Sequence, residues 1–360
     1  MLEFHEPSPD RIEAKCEAYG RCGGCALQHI STDRQRAIKE QTLRDNLERI
    51  GRVEPERWLE PMTGPEWHYR RRARLAVKDV HGKGRALVGF RERHAPFITD
   101  MRRCEVLAQP VDGLIEPLSE LIGGLSIRAR LPQIEVAVAE NAIALVFRVL
   151  DPPTPDDEAR FREFGEAHRL RIYLQSGGLD TVALLYPDSV DESLYYTLPE
   201  FDIRVDFEPI DFVQVNEGIN RRMVHFAVEQ LAAGPEDRVL DLFCGIGNFS
   251  LPLARDAGVV LGVEGLESLT RRATANAAAN GLDNVSFRVA DLAKIDGTEG
   301  WVRSEFVTTA LPAQVRLPTV NRQLEESERA AAELRATVTK LREEQASLEN
   351  LQQDTAAQLQ

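Results

Sequence analysis

The sequence predicts a mixed fold in which an α+β region is followed by an α/β region and then by a long helix. Between residues 207 and 306, strand and helix patterns alternate, which is typical of a parallel sheet. Before residue 207, hairpin patterns surround a short helix. From residue 317 onward, apolar residues recur at roughly heptad spacing, which indicates a long helix or coiled coil. The predicted domains are 1–30, 31–206, 207–306 and 307–360.

The composition is that of an ordinary globular chain. Its 360 residues are long enough for two or three domains, and 43% are hydrophobic and 28% charged. No secretory signal opens the sequence and no apolar run approaches a membrane span, so we expect a reducing, cytoplasmic setting. The net charge of −14 argues against indiscriminate nucleic-acid binding, although a local basic patch is compatible with RNA recognition.

The elements of the α+β region follow from local patterns. Apolar spacing predicts an amphipathic helix over 34–50 that ends at Gly51. Alternating and β-branched runs predict two hairpins and two later strands around a helix over 158–168. The strands are Arg74–Val77, Ala86–Phe90, Ile134–Val138, Ala142–Phe147, Arg171–Leu174 and Val182–Tyr186.

The elements of the α/β region are predicted in the same way. A helix over 218–233 precedes a strand, Arg238–Leu242, that we expect to be fully buried. A second strand and a helix over 266–280 follow. The second and third strands are Val259–Val263 and Val285–Val289.

Four of the five cysteines form a candidate metal site. Three lie close together near the start of the sequence and the fourth follows a pair of arginines: Cys16, Cys22, Cys25 and Cys104. A Cys-x-x-Cys pair with two intervening glycines can wrap closely around one metal centre. Four thiolates suit either tetrahedral zinc or an iron–sulfur cluster, and the spacing favours the cluster without deciding between them.

A glycine turn between a strand and a helix is the candidate ligand site of the α/β region. It reads Asp241-Leu-Phe-Cys-Gly-Ile-Gly-Asn248. Glycines let a ligand approach the backbone, and Glu264, nineteen positions beyond Gly245, can accept hydrogen bonds from ribose hydroxyls. Asp291 follows the third strand. With only two glycines, the turn differs from the dinucleotide fingerprint and resembles the first motif of S-adenosylmethionine-dependent methyltransferases.

A run of arginines opens one strand of the α+β region: Arg70, Arg71, Arg72 and Arg74. Taken alone, such a run is most often a solvated strand edge. Further arginines at 91, 93, 102 and 103 in an otherwise acidic protein make a track for RNA phosphates a second interpretation.

Four motifs, in chain order over about residues 8–306, resemble the TrmA-like family of RNA uracil-C5 methyltransferases, in the branch that acts on 23S ribosomal RNA. They are the cysteine loop through His29, the arginine strand through Leu75, Asp211-Phe-Val-Gln-Val-Asn216, and the glycine turn through Phe249. The resemblance implies an incomplete Rossmann-like S-adenosylmethionine-dependent domain preceded by an iron–sulfur-binding α+β domain.

The same resemblance implies cofactors, contacts and a reaction. It implies a [4Fe–4S] cluster on the four cysteines and formation of 5-methyluridine, with ribosomal RNA as the partner. It implies S-adenosylmethionine contacts from Gln214, Phe243, Asn248, Glu264 and Asp291, the last being Asp where relatives also carry Asn.

Two departures from the family pattern lead us to expect little methyl transfer from this chain. The family usually opens with a small RNA-binding barrel, the TRAM domain, and later supplies a nucleophilic cysteine and a glutamate base; we expect all of these to be missing. Phe306 is followed by unrelated sequence, and no cysteine lies beyond Cys244. Cys244 itself is expected to be a small buried thiol, so we assign no catalytic residue.

Two other hypotheses fit the same residues. A non-catalytic adaptor would keep the cluster and the arginine strand, and would recruit a coiled-coil partner or form a homodimer through 317–360. A zinc-dependent RNA-binding protein would use the same four thiols. For the tail, a solvated single helix is the alternative to a coiled coil.

Overall fold

The computed structural model describes residues 8–290, and its largest element is a six-stranded sheet. In spatial order the strands are β2 (Arg85–Gly89), β1 (Arg72–Val80), β3 (Gln133–Val138), β4 (Ile143–Arg148), β5 (Leu170–Gln175) and β6 (Val182–Tyr186). Neighbours are antiparallel except β4 and β5, which are parallel because helix α3 (Pro155–His168) crosses between them. Thr154 and Asp157 form a capping box that starts α3. The predicted hairpins and strands of this region are confirmed.

Two further helices belong to this region of the described chain. Helix α1 (Thr32–Asp45) continues through a π-helical turn to Gly51, as the amphipathic pattern predicts, yet no residue of α1 is buried among the described residues. Helix α2 (Ile115–Gly123), which the sequence patterns did not single out, packs on β2. It buries Ile115, Leu118 and Ile122, which lie on one face of the helix.

A three-stranded parallel sheet forms the α/β region. The strands are β9 (Arg238–Leu242), β10 (Val259–Glu264) and β11 (Val285–Val289), in the order β11-β10-β9, which confirms the predicted parallel arrangement. Helices α4 (Glu217–Leu231), α5 (Ser250–Leu253) and α6 (Glu267–Ala279) accompany it. The expectation that β9 is fully buried is wrong, because β9 lies at the edge of the sheet formed by residues 8–290 and Leu242 is 41% exposed.

A hairpin missed by the sequence analysis joins the two regions. Its strands are β7 (Leu194–Leu198) and β8 (Ile203–Phe207). The side-chain amide of Asn276 on α6 bonds both backbone groups of Asp206, each at 3.0 Å. One turn later, Asn280 bonds both backbone groups of Arg204, at 2.8 and 2.7 Å. These four hydrogen bonds satisfy the outer edge of β8, which would otherwise be unpaired.

The two regions also share a hydrophobic core. One cluster contains Val146 and Tyr173 of the six-stranded sheet together with Val224, Ile246 and Val260 of the α/β region. A second cluster lies between the opposite face of the large sheet and helices α2 and α3. Within the described residues, packing therefore continues across the boundary predicted at 206–207.

Some predictions fall outside the described residues. These are the ligand role of Asp291, the absence of catalytic segments after Phe306, and the coiled coil over 317–360. Among residues 8–290, no helix is long and apolar enough to span a membrane.

Candidate functional site

The glycine turn after β9 has an unusual backbone. Phe243, Gly245 and Gly247 all have positive φ, at 59°, 57° and 97°. Glycine takes this conformation readily, whereas a phenylalanine pays on the order of 1–2 kcal/mol for it. The ring of Phe243 is 66% exposed, and the space where a Cβ of Gly245 would point is open. The turn therefore holds an aromatic ring and an accessible stretch of backbone on the protein surface.

Glu264, at the end of β10, is bonded to this turn. Its Oε2 accepts a hydrogen bond from the Gly245 amide at 3.1 Å, and its Oε1 accepts one from the Gly265 amide at 2.7 Å. The parallel sheet causes this meeting, since it brings the carboxyl ends of β9 and β10 to the same edge. Oε1 also accepts a longer bond from the Leu266 amide at 3.4 Å, so Oε2, which accepts only one, keeps a lone pair for a ligand.

Asn248 is fixed by a buried polar network. Its Oδ1 accepts from the Tyr196 hydroxyl at 2.8 Å and from Asn220 Nδ2 at 2.9 Å. Its Nδ2 donates to Asn220 Oδ1, also at 2.9 Å, which leaves one N–H of Asn248 for a ligand. Tyr196 and Asn220 are both buried. Neither residue was predicted from the sequence to belong to the site. Asn220 lies one turn after the α4 N-cap Asn216, and no local signal marks Tyr196.

Asp241 and Cys244 lie inside the turn. Burial raises the pKa of Asp241, although the Ser250 hydroxyl, which donates to Oδ2 at 2.6 Å, opposes this effect. Burial also raises the pKa of the Cys244 thiol to about 12, with further contributions from the negative charges of Asp241 and Glu264. Cys244 is therefore a protonated thiol at neutral pH, and the expectation that it is buried is confirmed.

Arg71, on the arginine strand, forms hydrogen bonds with the backbone at Gln214 and Val215. Arg71 donates from Nε to the Gln214 carbonyl at 2.8 Å and from its backbone amide to the Val215 carbonyl at 2.9 Å. The Gln214 side chain is half-buried and has no hydrogen bond within the described part of the chain. Two predicted site residues, Gln214 and Arg71, are thus brought together although 143 positions separate them.

The four arginines do not form one exposed track. Arg71 is only 2% exposed and stacks over the Tyr196 ring at 4.7 Å, and burial lowers its pKa. Its terminal nitrogens have no hydrogen-bond partner among residues 8–290, although Glu217 lies 3.6 Å away. Arg72 is mostly buried and donates to the Pro209 carbonyl, and Arg70 is half-buried. Only Arg74, with a 69% exposed side chain, has the exposure that the phosphate-track interpretation requires.

The four clustered cysteines line a single cavity of about 240 Å³. Cys22 and Cys104 are buried, Cys16 and Cys25 are half-buried, and all are free thiols. Burial raises the pKa of Cys16 and that of Cys104, the latter to about 11. Within residues 8–290, no three cysteine, histidine or acidic side chains are grouped closely enough to hold a single metal ion. The structure therefore brings the four cysteines to one cavity, although Cys104 is far from the others in sequence.

The parallel sheet, the glycine turn and the acidic strand end together define the class of S-adenosylmethionine-dependent methyltransferase folds. The chain belongs to the tRNA (uracil-5-)-methyltransferase family, whose model matches residues 33–295. This confirms the family predicted from the four motifs. A solved structure shows the same fold: the tRNA (uracil-54, C5)-methyltransferase of Pyrococcus abyssi in complex with S-adenosyl-L-homocysteine. It has a TM-score of 0.60 and 22% identity, covering 82% of this chain and 69% of that one.

Close relatives carry the name 23S rRNA (uracil(1939)-C(5))-methyltransferase RlmD. The one from Methylococcus capsulatus is 50% identical over 306 residues, which is 85% of this chain and 69% of the relative. The one from Cupriavidus necator is 49% identical over 282 residues, which is 78% of this chain and 64% of the relative. The chain thus spans about two thirds of the relatives it matches. These relatives carry the name of an enzyme, and none supports the adaptor hypothesis.

Proposed function

We propose that the glycine turn binds S-adenosylmethionine, and that the chain supplies the methyl-donor and RNA-binding parts of a uracil-C5 methyltransferase acting on 23S ribosomal RNA. The observation that carries the proposal is the hydrogen bond between Gly245 and Glu264 at 3.1 Å. This bond keeps the Glu264 carboxylate, an acceptor for ribose hydroxyls, beside the backbone of the glycine turn, which a ligand can approach. The names of the relatives supply the substrate class.

The residues around the turn suit the parts of this cofactor. The lone pairs left on Glu264 accept from ribose hydroxyls, and the exposed Phe243 ring offers an apolar face to adenine. The remaining N–H of Asn248 and the uncommitted amide of Gln214 are the further contacts that we propose. Asp291 completes the proposed set, although it lies outside the described residues. When bound, the cofactor supplies an activated methyl group.

Calorimetric titration of the purified chain with S-adenosylmethionine tests this site. Glu264→Gln removes the charge that ribose hydroxyls would bond, so its dissociation constant should rise about 10- to 100-fold, the range for a hydrogen bond to a charged group. Glu267→Gln is the matched control, because Glu267 is exposed at the start of α6 and three residues away. Equal affinity in all three proteins, or no binding by the unmodified chain, would refute the assignment.

We also propose that Cys16, Cys22, Cys25 and Cys104 hold a [4Fe–4S] cluster. Zinc needs its sulfurs about 2.3 Å from one ion, whereas a cluster places them around a larger body. The cavity that all four cysteines line, together with the spacing of the cysteines, supports the proposal of a cluster. Its thiolates would be stabilised by iron, which offsets the burial that otherwise favours the protonated thiols.

Iron content and visible absorption after anaerobic purification test the cluster. The unmodified chain should be brown, and Cys104→Ser should lose both iron and colour. Cys244→Ser is the matched control and should keep them, because Cys244 does not line the cavity. A colourless protein loaded with zinc would support the zinc hypothesis and contradict ours.

Methyl transfer requires a reactive thiolate, which none of the five cysteines is placed to provide. Uracil C5 becomes nucleophilic only after a thiolate adds at C6, and a base must later remove the C5 proton. Four cysteines line the cavity, and the fifth, Cys244, is buried with a pKa of about 12. We therefore propose that this chain binds the methyl donor without completing the reaction.

Incubation with labelled S-adenosylmethionine and unmodified 23S RNA tests this proposal. We expect no 5-methyluridine, and no covalent adduct with RNA that contains 5-fluorouridine. Formation of either product would show that a reactive thiol exists in the chain and would overturn the proposal, even if the donor site is correct.

A further inference from the structure

A basic cleft lies beside the cysteine cavity and has no role in the functions proposed above. Its volume is about 770 Å³, and six cations line it: Lys15, Arg21, Lys83, Arg85, Arg102 and Arg103. Three carboxylates line it as well, so the lining carries three more positive than negative groups: Glu17, Asp100 and Glu105. This local excess stands out in a chain of net charge −14. An electrostatic footprint of this kind attracts a polyanion.

Some of the ion pairs in the cleft are exposed and therefore exchangeable, although Arg103 pairs with the buried Asp112 at 2.5 Å. Lys83 pairs with Asp100 at 2.5 Å, but both side chains are at least one third exposed, and pairs of this type contribute little net stability. Arg102 is 76% exposed, and its ion-pair partner in the described chain, Glu116, lies 3.6 Å away. Arg21 is exposed and has no side-chain partner within residues 8–290. Phosphate oxygens can therefore reach Arg21 and Arg102 without displacing a strong interaction.

The cleft adjoins the cysteine cavity. Cys16, Met101 and Glu105 belong to the linings of both. Arg21 lies within the cysteine loop, and its carbonyl accepts a hydrogen bond from the Arg93 amide at 2.8 Å, which ties the loop to the segment after β2. The fold of the cysteine loop therefore determines where Arg21 stands relative to Arg102.

We infer that this cleft, and not the Arg70–Arg74 strand, is a binding site for the phosphate backbone of the RNA substrate. The inference rests on the proposed function for the identity of the RNA. The strand that the sequence singled out is a poor candidate, because Arg71 is buried, Arg72 is mostly buried, and both donate to backbone carbonyls. The cleft has the exposed cations that phosphate contacts require.

The test measures binding of a fluorescent 23S RNA fragment to the full chain at several salt concentrations. The double variant Arg21→Ala/Arg102→Ala should weaken binding about tenfold or more near 0.1 M salt. It should also lower the slope of log affinity against log salt by about 1.5 to 2, as expected for two lost phosphate contacts. Arg21→Lys/Arg102→Lys should largely restore the slope, since the charge is kept. Arg162→Ala, on helix α3 and outside the cleft, is the control and should match the unmodified chain.

Two outcomes would overturn the inference: an unchanged salt slope in the double alanine variant, or an equal loss of RNA binding in the Arg162→Ala control. Titration with S-adenosylmethionine separates this inference from the proposed function. If the unmodified chain does not bind S-adenosylmethionine, the proposed donor site is refuted. A lower salt slope in the double alanine variant would still support RNA binding at the cleft.

Discussion

The side-chain amides of Asn220 and Asn248 donate to each other's oxygens, both at 2.9 Å. This reciprocal pair joins helix α4 to the glycine turn. The Tyr196 hydroxyl adds a third hydrogen bond to Asn248 and brings in strand β7. Asn248, a residue of the proposed donor site, is thus positioned by α4 and β7. Its orientation therefore depends on tertiary packing.

Asn220→Ala should weaken donor binding through Asn248. The substitution leaves the amide of Asn248 without its main partner, so we expect a several-fold rise in the dissociation constant for S-adenosylmethionine. Two hydrogen bonds are lost in a buried setting, so the free energy of unfolding should fall by about 2 kcal/mol. Calorimetric titration and urea unfolding measure the two effects.

Asn284→Ala is the control for this substitution. Its amide donates to the carbonyls of Ala254 and Ala257, each at 2.8 Å, away from the turn. It should lose a comparable amount of stability while keeping its donor affinity. If both variants bind S-adenosylmethionine equally well, Asn220 has only a structural role.

Substitution of Arg71 and of Arg74 by alanine should change stability by very different amounts. Arg71→Ala removes the donor to the Gln214 carbonyl and the guanidinium stacked on Tyr196, so stability should fall by about 2 kcal/mol. Arg74→Ala removes an exposed ion pair with Glu135 and should change stability by less than about 0.5 kcal/mol. Urea unfolding measures both. A large loss in Arg74→Ala with none in Arg71→Ala would contradict the burial that separates these two residues.

Asp157 should make stability depend on pH in the acid range. Burial alone would raise the pKa of this carboxyl, but hydrogen bonds from Ser126 and Thr154 lower it to about 2. A lowered folded-state pKa stabilises the fold above the unfolded value near 3.8, and this contribution is lost as pH falls toward about 2. Its size is on the order of 2 kcal/mol.

Asp157→Asn tests this linkage. The difference in unfolding free energy between the unmodified chain and this variant should be constant above about pH 5 and should shrink between about pH 4 and 2. Asp156→Asn changes the exposed neighbour and should leave the pH profile unaltered. A difference that persists to pH 2 would mean that Asp157 is not ionised in the fold.

Cys244 should resist alkylation in the folded chain. Its thiol is buried and its pKa is raised to about 12, so the reactive thiolate is scarce at pH 8. Treatment with iodoacetamide followed by peptide mapping should show no modification at Cys244 in native protein and full modification after unfolding in urea. Rapid labelling of native protein at this position would reopen Cys244 as a candidate nucleophile.

Local patterns were sufficient for most of the secondary structure. The alternation of strands and helices after residue 207 predicted the parallel sheet, because apolar periodicity and the placement of glycine and proline are local properties. They also placed Gly245 and Glu264 at neighbouring strand ends, which the hydrogen bond between them bears out. The β7–β8 hairpin was not predicted from the sequence. Backbone groups on the outer edge of β8 form hydrogen bonds with the side chains of Asn276 and Asn280 on α6, and no local pattern reveals this partner.

By itself the sequence determined the family, most of the elements and the spacing of the cysteine and glycine motifs, since each depends on residues close together along the chain. Only the tertiary structure decided which charged and polar side chains are buried. It buried Arg71 against the Tyr196 ring, left Arg74 exposed to solvent and paired Asn220 with Asn248. The physical reason is that burial and hydrogen bonding depend on which distant elements meet, and a run of arginines looks the same in sequence whether it lies inside or outside.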